Sequence, residues 1–138
     1  MLAAMIPIGT ALQTTGVSSL IATSISTYAS SLSLFWILLI ILIVTMVTTD
    51  IINNAATAVI MAPISTGIAL ELGYAIEPFL MVVAVGASCA FLTPIGHQCN
   101  TVVMGPGNYK FTDYWRMGLP IDILIILASI PMILFVWS

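Results

Sequence analysis

The sequence predicts an all-α integral membrane fold: a re-entrant helical hairpin, then a discontinuous helix, then a final transmembrane helix. Three observations predict it. Of 138 residues, 61% are hydrophobic and only 5% charged, against about 25% charged in an ordinary soluble domain, and the mean hydropathy is +1.22. Two apolar stretches are each interrupted by a knot of polar side chains, at Thr49–Ala58 and at Thr93–Asn100. A third, Met117–Trp137, runs for about 21 residues without such a knot, long enough to cross a bilayer.

Composition also excludes several functions. The formal charge of −3 arises from Asp50, Glu71, Glu77, Asp113 and Asp122 against Lys110 and Arg116. There is no basic patch, which removes nucleic acid as a partner. Cys89 and Cys99 stand in apolar surroundings and read as small packed hydrophobes, not as a disulfide framework. No basic stretch precedes the apolar residues of the amino terminus, so a signal peptide is not expected. A single histidine, with no HExxH and no GxSxG, leaves neither a metal site nor a nucleophile–base pair, and no enzyme is expected.

In chain order, Met1–Ser33 is apolar but punctuated by small polar residues, too polar over Ser18–Ser33 to face lipid freely. Ala22, Ser26 and Ser30 fall four apart, a spacing that lets membrane helices approach closely. Leu34–Val47 is apolar on every side except Thr45 and ends abruptly at Thr48, Thr49 and Asp50. Ala55–Leu70 resumes the apolar character, carrying Pro63 and Gly67. Neither arm has the roughly 20 apolar residues of a comfortable span, which is why a hairpin that enters and returns is expected. Glu71–Pro78 reads as an exposed connection. Phe79–Leu92 starts a second short apolar run, Thr93–Asn100 breaks it, and Thr101–Met104 resumes it for one turn.

Gly105–Arg116 is the truly polar connection, with GPG at Gly105–Gly107 as a turn. Its aromatics Tyr109, Phe111, Tyr114 and Trp115 suit the headgroup belt, and its Lys110 and Arg116 place it on the cytoplasmic side. The hairpin then enters from outside and returns to the acidic Glu71–Glu77 loop. The broken helix runs inward to Lys110, and Met117–Trp137 runs out, leaving Ser138 on the outer face. Asp122 falls in the first turns of that last helix, as an interfacial or structural acid.

This topology brings Asn53 and Asn54 opposite Gly96–Asn100. Irregular backbone is tolerated inside a membrane only where it is buried in protein or lines a wet cavity, and breaks in paired helices mark transporter sites. Asn53 or Asn54 can cap the helix that begins near Ala55, whose start carries unpaired N–H groups and about +0.5 of charge. An anion is a natural guest there. Carbonyls released by unwinding, with oxygens such as those of Thr49 and Asn54, are hard ligands for sodium. Asp50 is expected to accept from nearby backbone N–H groups.

The segments TDIINNAATAVIMAPI, GASCAFLTPIGHQCNTVVMGPG and YKFTDYWRMGLP resemble the carboxy-terminal repeat of the divalent-anion/sodium symporters, which carry sulfate, citrate and other dicarboxylates. The resemblance covers nearly the whole chain and lies nearest the permease branch linked to sulfate. It implies one half of an inverted-repeat ion-transporter fold over residues 1–138, with a Ser-Asn-Thr tip on the hairpin. Asn53 stands in the serine place, Asn54 matches the asparagine, and Ala55 stands where threonine is usual. The resemblance further implies Thr49, Asn54 and the carbonyls of Ile52 and Gly96 around one sodium. His97 and Gln98 fall where a Thr-Pro pair touches substrate. With two hydroxyls lost and an amide and an imidazole gained, the anion matched is expected to differ.

The function implied is sodium-coupled symport of sulfate or a dicarboxylate by a multi-pass protein of the plasma or inner membrane. No second repeat is visible in the sequence, so this chain alone is not expected to transport: it needs the amino-terminal repeat or a second chain, and the intact carrier is expected to be a homodimer. Sodium is the coupling ion and no cofactor is expected. The alternatives are a cation/proton antiporter or a metalloid-oxyanion exporter of the same architecture, or an inactive remnant.

Overall fold

The structure, a computed structural model, describes residues 32–137 and, ahead of them, residues 7, 11, 14–16, 20, 23 and 24. The small-residue face expected at Ala22, Ser26 and Ser30 lies outside the described residues. From Leu34 onward there are five helices: α1 (Leu34–Ile51), α2 (Asn54–Leu72), α3 (Ile76–Ser88), α4 (Gln98–Met104) and α5 (Phe111–Trp137). No strand occurs among the described residues. Helices α1, α2 and α5 are each long and apolar enough to cross a membrane, and the chain is an all-α, multi-pass integral membrane protein.

Helix α1 buries Ile37, Leu38, Ile41, Leu42, Thr45, Met46, Thr49 and Asp50. These pairs recur every four residues and form one stripe, against which α3 packs. The apolar residues Trp36, Ile40, Val44, Val47 and Ile51 on the other side stay exposed. Lipid is as apolar as these side chains, so association rests on close packing more than on the hydrophobic effect. Gly86 of α3 provides it: a Cβ there would fall 2.9 Å from Thr45 Cβ. Thr45 keeps its hydroxyl satisfied by donating to Ile41 O at 2.7 Å.

The arms of the first break are longer than the sequence suggests. Helix α1 does not end at Val47, because Thr48 Oγ1 donates back to Val44 O at 2.7 Å and Ile52 N donates to Thr48 O at 3.0 Å. Its 18 residues extend about 27 Å, against a hydrocarbon core of about 30 Å. The break itself is where the polar knot placed it: Ile52 leaves helical geometry (φ −96°, ψ −101°) and Asn53 is extended. Asn53 caps α2, its side-chain oxygen accepting from Ala56 N at 2.8 Å. At the other end Gly73, with φ 73°, closes α2 in a Schellman motif: Tyr74 N donates to Ala69 O and Gly73 N to Leu70 O.

The connection to α3 therefore shrinks from the expected Glu71–Pro78 to 73–75. Glu71 and Leu72 finish α2, while Glu77 and Pro78 lie in the first turn of α3. There an acid favours the helix dipole and proline loses no intrahelical bond. The second break is displaced as well. Cys89–Leu92 are already unwound and Gln98–Asn100 already helical, so it occupies 89–97 instead of Thr93–Asn100. The GPG segment is a turn, as expected, with Gly107 N donating to Val103 O at 2.9 Å.

Helix α5 starts six residues before Met117, inside the expected polar connection. Asp113 Oδ2 accepts from Lys110 N at 2.8 Å, half of a capping box that lets the helix begin at Phe111. Asp122 therefore sits about three turns into α5, not in its first turns. It is buried with Gly118, Ile130 and Ile133 along one stripe. The core lies where α1, α2, α3 and α5 meet, around Leu38, Leu42, Ile68, Phe79, Val82 and Ile130.

Candidate functional site

The two breaks meet at the carboxy-terminal end of α1. The packing stripe of α1 turns Thr49 and Asp50 inward. Because Gly86 lets α3 come close one turn earlier, the carbonyl of Ala87 reaches Thr49 Oγ1 at 2.9 Å. Asn54 Oδ1, across the first break, lies 2.9 Å from the same hydroxyl. A hydroxyl has one proton and can satisfy one of these two oxygens. The other contact is reconciled either by turning the Asn54 amide so that its nitrogen donates, or by a cation among the oxygens.

Gly96 completes the meeting. A Cβ on it would fall 2.9 Å from Thr49 O, 3.1 Å from Asp50 Cα and 2.9 Å from Ala90 Cβ, so only glycine allows this approach. Thr93 bolts it in place: its hydroxyl donates to Asp50 O at 2.6 Å and accepts from Gly96 N at 3.2 Å. Asp50 Oδ1 accepts from Leu92 N at 3.1 Å, the backbone role expected of it. Asn100 holds the far side, donating from Nδ2 to Ala90 O at 2.9 Å and to Thr93 O at 3.2 Å. Its own carbonyl accepts from Tyr114 Oη at 2.7 Å, and Thr101 Oγ1 donates to Pro94 O at 2.6 Å. Buried main-chain groups freed by unwinding must find partners, and these five side chains supply them.

Thr49, Asn54 and Gly96 are thus brought together. Ile52 adjoins them in the break, exposed. Asn53 and Ala55 are exposed at the start of α2, where the N–H groups of Asn54 and Ala55 have no intrahelical acceptor while that of Ala56 is taken by Asn53. His97 and Gln98 are exposed at the start of α4. There His97 Nδ1 accepts from Cys99 N at 3.2 Å, so one ring nitrogen serves as a cap. Both cysteines are free thiols; Cys89 is buried, whereas Cys99 is exposed on α4 and not packed as its apolar surroundings suggested.

In the sequence Thr93, Asn100 and Thr101 have no role of their own, and Tyr114 reads only as a headgroup-belt aromatic. The available signal was their position: hydroxyls and amides inside or beside a stretch whose carbonyls lose their helical partners. A separate cavity of about 410 Å³, lined by Phe91, Asn100, Tyr109, Tyr114, Met117 and Gly118 among others, opens on the α5 side of the second break. None of the expected site residues lines it.

Sequence relatives and a family model match along the chain. An uncharacterized transporter of Synechocystis is 37% identical over 138 residues, all of this chain and 22% of the relative. The uncharacterized transporter YfbS of Escherichia coli is 48% identical over 82 residues, 59% of this chain and 13% of its own length. A sodium-dependent dicarboxylate transporter of Staphylococcus saprophyticus is 28% identical over 89 residues, 63% of this chain and 17% of its own. The chain spans about a fifth of the length of the curated relatives it matches, and those relatives are transporters. The family model described as the sodium:sulfate symporter transmembrane region matches residues 1–138, and the chain belongs to that family.

Proposed function

We propose that this chain is the carboxy-terminal repeat of a secondary carrier that moves sulfate or a dicarboxylate together with sodium. The observation that carries the reading is the convergence of Thr49, Asn54 and Gly96 at the meeting of two helix breaks. Sodium sits among Thr49 Oγ1, Asn54 Oδ1 and the carbonyls of Ile52 and Gly96. Hard oxygen ligands from unwound backbone suit that ion, and a cation relieves the oxygen pair that a single hydroxyl proton leaves unreconciled.

The anion binds at the start of α2, against the free N–H groups of Asn54 and Ala55 and the positive pole of the helix. Asn53 contributes its amide N–H₂, because its oxygen is committed to the cap. The small side chain of Ala55 leaves the approach open. His97 and Gln98 line the entrance from the second break. Sodium beside the anion offsets its charge where water is scarce, which couples the two. A facing repeat, on the same polypeptide or on a second one, supplies the rest of the anion shell, and the intact carrier is a homodimer.

Uptake of labelled sulfate and labelled succinate into proteoliposomes holding the intact carrier tests this, with an imposed sodium gradient and with choline in its place. Uptake that requires sodium is expected, with one anion displacing the other. Flux driven by a proton gradient and indifferent to sodium would overturn it in favour of an antiporter or exporter of the same architecture.

A further inference from the structure

Behind the junction, towards α5, lie two carboxylates with no cation near them. Asp50 is 4% exposed and Asp122 is 7% exposed. Asp50 commits Oδ1 to Leu92 N, but its Oδ2 has no partner, and Asp122 Oδ1 has none either; both atoms are shut off from the surface. Both adjoin the bend at Leu92. Gly118, one turn before Asp122, presses on that bend so closely that a Cβ would fall 2.5 Å from Phe91 O and 3.1 Å from Leu92 N. The two carboxylates are within electrostatic reach of each other, and Cys89 is within reach of both.

Among the described residues Thr57 Oγ1 is the further buried polar atom without a hydrogen-bond partner, and no bond joins it to either carboxylate. The thiol of Cys89 donates to Val85 O at 3.1 Å. Lys110 and Arg116, the bases of the chain, are exposed near the start of α5. Because both orphan oxygens are enclosed by this chain itself, a facing repeat packed on the outside does not reach them. Buried charges are paired or coordinate a metal, and an uncompensated pair of like charges is the costliest arrangement.

We infer that Asp50 Oδ2 and Asp122 Oδ1 hold a monovalent metal cation, sodium, at a second position one residue along α1 from the Thr49–Asn54 cluster. The unwound main chain of 89–92 beside them is a source of further oxygen ligands. The inference rests on the carrier reading for the identity of the ion, not for the existence of the site.

Thermal unfolding of the detergent-purified intact carrier across a series of sodium concentrations, at constant ionic strength with choline, tests it without requiring transport. The slope of midpoint against log sodium follows the number of ions bound only by the folded state. Asp122→Asn is expected to halve the slope contributed by this chain, Asn54→Ala to remove the other half, and the double variant to be flat. In choline alone Asp122→Asn should unfold no earlier than wild type, which separates a lost ion from a damaged fold. A wild-type slope in Asp122→Asn overturns the inference while leaving the carrier reading intact. So does a midpoint that responds to acid in choline but not to sodium, since a proton then occupies the pair. A halved slope alongside sodium-independent uptake sustains the site and overturns the carrier reading instead.

Discussion

The first break consumes two residues, Ile52 and Asn53, while the second consumes nine, from Cys89 to His97. At the first, loose main-chain groups are closed by near neighbours: Asn53 takes Ala56 N, and Thr48 O takes Ile52 N. At the second they are closed from further off, by Asp50 from 42 residues away and by Asn100 and Thr101 of the following helix from seven to ten residues away. A break made by local chemistry persists whenever its two helices form. A break made by distant partners exists only while those partners are in place. The start of α2 is therefore the fixed part, where we propose that the anion binds, and the 89–97 segment is the part whose shape answers to its surroundings.

Removing the side chain that reaches Thr49 from across the first break should have the largest effect. Asn54→Ala is expected to abolish sodium-dependent uptake by the intact carrier with expression near normal, because it deletes a proposed ligand without touching the cap. Full sodium-dependent flux in that variant would reduce Asn54 to scaffolding. Gly96→Ala comes next, since its Cβ would meet the backbone of α1, which cannot swing aside as a side chain can. Overpacking of this kind costs about 1–3 kcal/mol, so the unfolding midpoint should fall and the sodium needed for half-maximal uptake should rise. An unchanged midpoint would mean the breaks have slack between them.

Thr93→Val keeps shape and removes two hydrogen bonds, each worth about 0.5–1.5 kcal/mol. Hydrogen exchange should quicken at Gly96 N and Leu92 N while the start of α2 stays protected, and Thr93→Ser should restore the pattern. Equal loosening of both breaks would erase the distinction between a local and a tertiary one.

That distinction also explains what could be read from the chain. The break at Asn53 was legible because an asparagine pair between apolar arms carries its own capping chemistry, and Asp50 was legible as an acceptor of backbone N–H. The meeting of that break with Gly96 followed from topology. The extent of α1 was not legible, because Thr48 and Asp50 look like helix-ending residues until their bonds to Val44 O and Leu92 N are known. Nor was unwinding at Cys89, in an apolar run that nothing local interrupts. The early start of α5 hangs on Asp113 turning back to Lys110 N, inside a stretch whose glycines and charges read as loop. Thr93, Asn100 and Tyr114 act on groups remote in sequence, and the order of residues alone does not pair them.

The smallest expected effects belong to Asn53, where stability and selectivity can be separated. Asn53→Ala removes the cap on α2 and should cost about 1 kcal/mol. Asn53→Ser keeps a capping oxygen and should cost far less, while replacing an amide N–H₂ that faces the anion with a single hydroxyl. If the cap is the whole role, alanine lowers the unfolding midpoint and serine changes nothing. If the amide also touches substrate, serine shifts the preference between sulfate and dicarboxylates at nearly unchanged stability, because one donor at a different reach replaces two. Competition uptake with both anions reads the shift. An unchanged preference would take Asn53 out of the substrate shell and leave the anion to the main-chain N–H groups of Asn54 and Ala55.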